Sequence, residues 1–420
     1  MYAQRRVTAA LIGAGSRGMD VYGSYALKHP KDIEFIAVAD PNPKRRAKFK
    51  KLHNIKDEMV FTDWQSILDK PKLSDVIFIC TQDKMHFEPS IKALEAGYHV
   101  LLEKPMATTP KECIAIGKAA EKSNSVFAIA HVLRYTPLMQ KVKKLLDAGV
   151  IGNIVCIQHN ENVGYWHQAH SFVRGNWRNS DETSPMILAK SCHDMDLLLW
   201  LAGSSCKSIS SFGGLYHFKG ENAPSGAPLR CIEGCPAETK CAFFAPRLYL
   251  TDDISWPTSV ISSDMSYEGR YKALKEGPYG RCVYHCDNNV VDHQVVNIDF
   301  ENGVTAAFTM CAFSEKISRT TKLMGTKGEM RVCPGEIEVT DFLTGTVNTI
   351  QIMAPEQGHE GGDEGMMRDF VHLIKEGGKD KALTSANTSV ESHLMAFAAE
   401  KSRLENKVVN IKEYFSCLFS

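Results

Sequence analysis

A glycine-rich turn near the start of the chain constrains the fold more than any other feature. The apolar run Val7–Ile12 has the length of a β-strand, and Gly13, Gly15 and Gly18 follow it as G-x-G-x-x-G. In a strand–turn–helix unit the first glycine permits the tight turn, the second lets the main chain approach a pyrophosphate, and the third allows close packing of helix and strand. The following helix N-terminus favours phosphate groups. The motif therefore predicts a dinucleotide-binding unit.

A carboxylate at the end of the second apolar run indicates which dinucleotide is bound. The run 33–39 ends on Asp40, where a carboxylate would bind the adenosine ribose hydroxyls. The same charge would repel a 2′-phosphate, so NAD is the predicted cofactor. Lys44, Arg45 and Arg46 follow directly and leave NADP as the alternative.

The first 133 residues alternate strand-like and helix-like patterns, which predicts a doubly wound parallel sheet. The candidate strands are 7–12, 33–39, 75–80, 98–102 and 126–131. Ligands of such sheets bind at the carboxyl ends of the strands. The residues predicted to contact the cofactor are Gly13, Gly15, Ser16, Arg17, Gly18, Asp40, Thr81, Gln82, His86, Glu103 and Lys104.

Residues 134–420 show a different pattern and are predicted to form a second, α+β domain. Long helical runs at 136–148 and 185–201 flank a strand at 153–161, and the later strand-like runs (206–217 and 291–352) have no helical crossovers between them. An antiparallel or mixed sheet is therefore expected, closed by helices near 363–376 and 386–404. Residues 218–290 are dense in Pro, Gly and Cys and are interpreted as an insertion.

Composition excludes several partners. The chain has 49 basic and 49 acidic residues, so no net field recruits nucleic acid or an anionic membrane. No apolar run approaches the roughly 20 residues needed to span a bilayer. The start of the chain, 1–6, lacks the apolar core of a secretory leader, so a cytoplasmic location is expected.

Four motifs together resemble the glucose–fructose oxidoreductase / inositol dehydrogenase / MocA family. They are Gly13-Ala-Gly-Ser-Arg-Gly18, Asp40-Pro-Asn-Pro, Glu103-Lys104-Pro105 and Ser191-Cys-His-Asp-Met-Asp196. The resemblance implies an N-terminal Rossmann domain and a C-terminal domain with an open, mainly antiparallel sheet, whose outer face often builds homodimers or homotetramers. It also implies hydride transfer between a nicotinamide and a secondary alcohol of a sugar, glycoside or cyclitol.

Lys104 and His193 are the predicted proton-handling pair, with Lys190 assisting. A partly desolvated lysine can have its pKa lowered toward neutrality, as a general base requires. The family implies substrate binding and proton transfer for this lysine, and a cis peptide before Pro105 would aim it into the cleft. The family pattern Asp-x-x-x-His is broken here, because Ala189 stands at the aspartate position. If 185–201 is one continuous helix, Lys190, His193 and Asp194 share a face and Lys190 partly fills the gap.

The loop 161–178 is predicted to form a sugar-binding wall. Aromatic side chains stack on pyranose rings, and the Arg, His and carboxylate side chains hydrogen-bond hydroxyl groups. Two arginines in this loop could instead bind a carboxylate or phosphate of the substrate. The predicted substrate-contacting residues are Tyr165, His167, His170, Arg174, Trp177, Arg178 and Asp194.

The cysteine pattern of the insertion predicts a structural zinc site. Three thiolates from one short segment and one from a second would suit closed tetrahedral zinc. An iron–sulfur cluster is the alternative, and Cys286 could replace Cys282. The predicted ligands are Cys231, Cys235, Cys241 and Cys282.

Two other functions remain open at this point. One is glycoside cleavage through transient oxidation by a retained NAD, followed by elimination of the aglycone. The other is a non-catalytic NAD and sugar sensor, against which the intact Lys104 and His193 argue.

Overall fold

The N-terminal half folds around a six-stranded parallel sheet in the order β3-β2-β1-β4-β5-β6. The computed structural model describes residues 6–353, 355, 359–378 and 382–419; residues 1–5, which carry most of the argument about a leader, lie outside them. The strands are β1 Val7–Ile12, β2 Ile33–Ala39, β3 Val60–Phe61, β4 Val76–Ile79, β5 His99–Leu102 and β6 Phe127–Ile129. The predicted Rossmann sheet is confirmed, with the short β3 as an addition.

Helices cover both faces of this sheet. A π-helical segment, Arg17–Gly23, continues as α1. Three of the other helices begin at a side chain that accepts a main-chain N–H, namely Asn42, Asp63 and Thr109. At Thr109, Oγ1 accepts the Glu112 N–H at 3.2 Å and a proline follows. The helices are α1 Ser24–Lys28, α2 Pro43–His53, α3 Trp64–Leu68, α4 Phe87–Glu95 and α5 Pro110–Lys122.

The second sheet has nine strands in the order β14-β13-β12-β11-β7-β10-β9-β8-β15. Every strand pair recorded in it is antiparallel except β7 with β10. The strands are β7 Ile154–Asn162, β8 Cys206–Gly214, β9 His293–Phe300, β10 Thr305–Cys311, β11 Ser318–Gly325, β12 Gly328–Cys333, β13 Glu336–Asp341, β14 Val347–Gln351 and β15 Val409–Asn410. The mixed, mainly antiparallel sheet is thus confirmed.

One face of the second sheet packs on helices and the other is open. In β9, Val296 and Ile298 are buried while Val295 is exposed, the alternation expected of a half-covered sheet. The helices of this half are α6 Pro137–Asp147, α7 Tyr165–His167 (continued by the π-helical Gln168–Arg174), α8 Met186–Ala189, α9 Cys192–Ala202, α10 Ala245–Tyr249, α11 Tyr267–Glu276, α12 Gly362–Glu376, α13 Ala386–Glu405 and α14 Ile411–Cys417. No described helix is long and apolar enough to cross a membrane.

The two halves share a core. Met366, Met367 and Phe370 of α12 pack in the same apolar cluster as β1 and β2 of the first sheet. The Rossmann sheet is therefore covered in part by a helix from far beyond residue 133.

One expectation about the second half is wrong. The helical run 185–201 is broken: α8 ends at Ala189, Lys190 has φ −111°, and α9 begins at Cys192. The segment 218–290 has small apolar clusters of its own, one around Phe218 and Val283 and another around Tyr249 and Leu274.

Candidate active site

The three glycines of the first turn have the separate roles that their spacing predicts. Gly13 has φ +95°, and a Cβ there would lie 2.5 Å from the main-chain oxygen of Cys80 on the neighbouring strand end. A Cβ on Gly18 would lie 2.2 Å from the Gly13 oxygen, whereas a Cβ on Gly15 would meet nothing within 4 Å. The turn thus packs tightly at its ends and leaves open space at Gly15, as a pyrophosphate requires.

Asp40 lies at the end of β2, and its carboxylate anchors the glycine turn. Oδ2 accepts the Ala14 N–H at 2.7 Å and Oδ1 accepts the Asn42 N–H at 2.8 Å. Arg46 donates to the main-chain oxygen of Asp40 at 2.5 Å. A carboxylate and a guanidinium therefore stand together at the edge that is predicted to bind the adenosine end of a dinucleotide.

Three residues predicted to face the cofactor from the end of β4 have different roles. His86 is buried, and its ring nitrogens lie 2.7 Å from the Pro105 oxygen and 3.2 Å from the Thr81 oxygen. It is therefore placed to hold the β4 and β5 loops together rather than to contact the cofactor directly. Thr81 donates its hydroxyl to the Met85 oxygen at 3.1 Å, and Gln82 precedes a short 3₁₀ turn.

Arg17 and Glu103 bind each other. Arg17 Nε lies 2.5 Å from Glu103 Oε1, and Nη2 lies 2.8 Å from Asp363 Oδ1 at the start of α12. Burial would raise the pKa of Glu103, but the Arg17 guanidinium and hydrogen bonds from Tyr22 and Arg17 bring it below its ordinary value. Asp363 was missed in the sequence, since nothing local to it indicates a partner 346 residues away.

Lys104 reaches from the end of β5 to the second half of the chain. Its Nζ donates to the main-chain oxygen of Ala189 at 2.8 Å and lies 5.9 Å from the ring centre of Trp177. The Lys104–Pro105 peptide is cis, as expected. The lysine thus contacts the position at which the related pattern has an aspartate.

His193 lies beside Lys104 in a row of imidazoles. Its ring centre is 5.7 Å from that of His131 and 6.2 Å from that of His359, and its Nδ1 has no hydrogen-bond partner among the described residues. Burial first, and then the charge of Lys104, lower the pKa of His193 well below its ordinary value. The imidazole is therefore neutral at pH 7 and available as a proton acceptor.

Lys190 belongs to a buried ionic network that the sequence did not predict. Its Nζ lies 3.1 Å from Glu161 Oε1, and Arg319 lies 2.7 Å from both Glu161 Oε2 and Asp194 Oδ1. Burial lowers the pKa of Lys190, and the Glu161 charge opposes that shift.

Asp194 pairs with Arg319 and His159 rather than with His193. It is fully buried, with Oδ1 also 2.9 Å from His159 Nε2. Burial would raise its pKa, but the Arg319 charge and the His159 hydrogen bond hold the pKa well below the ordinary value. Its direct contact with substrate, predicted above, is therefore not supported.

The predicted sugar-binding loop divides into two groups. Trp177 and His167 lie on the side of Lys104 and Lys190. Trp177 Nε1 donates a hydrogen bond to Asp83 Oδ1 at 3.2 Å. The pKa of His167 is lowered, mainly by burial and to a smaller extent by the charge of Lys190. Tyr165, at the start of α7, is partly exposed and lies 6.1 Å from Phe243 between ring centres.

The other three members of the loop face the insertion. His170 accepts from or donates to the Tyr249 hydroxyl at 2.8 Å, and burial, with a smaller effect of Arg174, lowers its pKa to about 3. Arg174 donates to the main-chain oxygens of Arg281 and Phe243. Arg178 pairs with Asp287 and Glu182. These contacts hold the insertion in place. Both arginines are therefore engaged by the protein itself and are not arranged to bind a carboxylate or phosphate of the substrate.

The four predicted zinc ligands line one small cavity, yet the zinc prediction is not confirmed. Cys231, Cys235, Cys241 and Cys282 all border it, whereas Cys286 does not. Among the residues that the structure describes, no group of three or more His, Cys, Asp or Glu side chains is arranged to hold a metal ion.

A glycine turn, a carboxylate at the end of β2 and a lysine facing a buried histidine define an NAD-binding oxidoreductase. Residues 7–131 match the NAD-binding Rossmann fold of an oxidoreductase family, and residues 143–411 match its C-terminal alpha/beta domain. The chain belongs to the glucose–fructose oxidoreductase / inositol dehydrogenase / MocA family.

Individual relatives are distant. The oxidoreductase YteT of Bacillus subtilis is 24% identical over 414 residues, 91% of this chain and 92% of that protein. The D-glucoside 3-dehydrogenase of Escherichia coli is 34% identical over 146 residues, 34% of this chain and 40% of that protein. The structure of levoglucosan dehydrogenase with NADH and levoglucosan has a TM-score of 0.72 at 20% identity, covering 97% of this chain and all of that one.

Proposed function

We propose that this protein is an NAD-dependent dehydrogenase that oxidises a secondary hydroxyl of a sugar, glycoside or cyclitol. The observation that carries the proposal is the placement of Lys104 Nζ, 2.8 Å from the Ala189 oxygen, next to the neutral His193. The match to the NAD-binding Rossmann family and the likeness to a glucoside 3-dehydrogenase support it.

The residues divide the work of the reaction between them. Gly13, Gly15 and Gly18 would hold the pyrophosphate and Asp40 the adenosine ribose, and bound NAD would supply the hydride acceptor. Lys104 in its unprotonated form takes the hydroxyl proton as the C–H bond is broken, while the neutral His193 donates a hydrogen bond to the same oxygen from Nδ1 or Nε2. Trp177, whose ring already faces Lys104, provides an apolar wall for the sugar ring.

Lys190 acts on this pair through its charge. Because it is held by Glu161 rather than by substrate, its role is to position the network around Ala189 and His193. A lysine–glutamate pair, Lys190 from the break after α8 and Glu161 from β7, thereby takes the place of the aspartate that the related pattern has at position 189.

The direct test adds purified protein to NAD with panels of cyclitols, free sugars and glycosides and follows NADH absorbance. The expected result is NADH formation with one of these classes, and less with NADP because of Asp40. Absence of NADH and of any other product across all panels would overturn the proposal.

A second base at the site favours one alternative, the cleavage of glycosides through transient oxidation. His359 Nδ1 is 3.0 Å from Asp363 Oδ2, and the ring lies beside that of His193. After oxidation, an elimination needs a base for the neighbouring C–H, and an Asp-held imidazole suits that task. Release of free aglycone without net NADH, lost in His359→Gln but kept in His372→Gln, would favour this reading over the dehydrogenase.

The open face of the nine-stranded sheet supports assembly into a homodimer or homotetramer, and the cytoplasm remains the expected location. Sedimentation or light scattering would test the first of these.

A further inference from the structure

Four thiols from two separate segments converge in the insertion. Cys231, Cys235 and Cys241 come from one loop and Cys282 from another, about 40 residues later, and all four border a cavity of about 10 Å³. Such a volume holds one small particle, such as a single water or ion. A polynuclear cluster needs more room, so the space favours one ion.

A buried cation beside this cavity has no anion to balance it. Arg174 also lines the cavity and is 1% exposed. Its donors go to two main-chain oxygens and, at 3.7 Å, to Cys231 Sγ, while Nη1 has no hydrogen-bond partner in the described residues. Among the residues that the structure describes, no ion pair joins it to a carboxylate. An unpaired buried charge costs several kcal/mol.

Neutral thiols would not balance this charge, but thiolates would. Four thiolates around a divalent ion carry a net charge of −2, close to the guanidinium that contacts Cys231.

We propose that Cys231, Cys235, Cys241 and Cys282 bind one Zn²⁺ as thiolates, with Arg174 as the counter-charge. The sulfurs do not stand at ligand separation, so loading requires the thiols to turn about their Cα–Cβ bonds toward the cavity. Binding releases one proton from each thiol and involves no redox step. The proposed zinc has a structural role. Arg174, which the sequence predicted to contact substrate, lines the same cavity but donates its hydrogen bonds to main-chain oxygens of the insertion.

Metal analysis of the purified full-length chain tests this site independently of any enzymatic activity. The expected result is about one zinc per chain after gel filtration, with negligible iron and sulfide. Cys235→Ser should lose the zinc, and the matched control Cys333→Ser, at an exposed thiol outside the insertion, should keep it.

Because Cys235→Ser could fail to fold, a second measurement uses the wild-type protein. Titration with an organomercurial in the presence of a colorimetric zinc indicator should release one zinc as about four thiols react. Several outcomes would overturn the site: no metal with these thiols free, a disulfide among them, iron with sulfide in place of zinc, or zinc retained in Cys235→Ser.

Discussion

Lys104 Nζ and the Ala189 main-chain oxygen, 2.8 Å apart, join the two halves of the protein at the point where hydride transfer is proposed. The lysine follows β5 of the first sheet, and the alanine ends α8 of the second half. The contact therefore fixes the position of the lysine relative to the substrate-binding half.

Replacing this lysine should abolish turnover while leaving the cofactor site intact. Lys104→Met keeps a long unbranched side chain but removes the amine. The value of kcat should therefore fall by about 10²–10⁴-fold, the usual contribution of a general base. NADH affinity, measured by calorimetry, should change little because the glycine turn is unaltered. The control is the exposed Lys111→Met, with wild-type turnover expected; a Lys104 variant within tenfold of wild type would contradict the assigned role.

The ionic link from Glu103 through Arg17 to Asp363 should stabilise the Rossmann half and its cofactor site. Asp363→Asn removes the charge that faces Arg17 Nη2 at 2.8 Å, and losing a charged hydrogen bond costs about 1–3 kcal/mol. We expect a lower Tm and a higher KM for NAD, since Arg17 begins the helix after the glycine turn. The neighbouring, exposed Glu364→Gln should change neither quantity, and equal effects of the two substitutions would refute the link.

Local spacing predicted most of the first half, whereas the site needed the tertiary structure. The glycines, Asp40 and Lys104 are each fixed by one strand and its turn, so sequence distance is sufficient. The ionic network around Lys190 is different, because Glu161 comes from β7 and Arg319 from β11, both far from Lys190 in the sequence. No periodicity within 185–201 carries that information.

The same reason explains why the partners of His170 and Arg174 could not be predicted from the loop sequence. His170 and Arg174 have side chains typical of sugar sites, yet the insertion provides closer partners in Tyr249 and in main-chain oxygens. His131, His159 and His359 were missed since each is isolated in the sequence and gains its neighbours only from folding.

Buried histidines should make the protein less stable in mild acid. Burial is the first cause that lowers the pKa of His131 and His193 well below the ordinary value, and of His393 to about 3. Below pH 6.5 the unfolded chain therefore binds protons that the folded chain does not, so stability is complete above that pH and falls as pH decreases. Each such histidine costs about 1.4 kcal/mol per pH unit.

The measurement is the free energy of unfolding between pH 7 and pH 5.5, above the range where ordinary carboxylates titrate. His131→Gln, which removes an imidazole whose two nitrogens have no hydrogen-bond partner among the described residues, should reduce the slope, while the exposed His372→Gln should not. A slope that is flat in the wild type, or identical in the two variants, would show that these imidazoles titrate normally.

Asp40 should decide between NAD and NADP. Asp40→Asn keeps an oxygen for the Ala14 N–H but removes the charge that binds the ribose hydroxyls and repels a 2′-phosphate. Affinity for NAD should fall about 10–100-fold, as expected for a lost charged hydrogen bond of about 1.5–3 kcal/mol. Affinity for NADP should rise, because Arg46 already contacts the same strand end and would then face the phosphate alone.

Direct binding of both dinucleotides by calorimetry separates the two effects, with the exposed Asp57→Asn as control. If NADP binding stayed unchanged while NAD binding fell, Asp40 would act only by holding the glycine turn, and repulsion of the 2′-phosphate would have to come from another group.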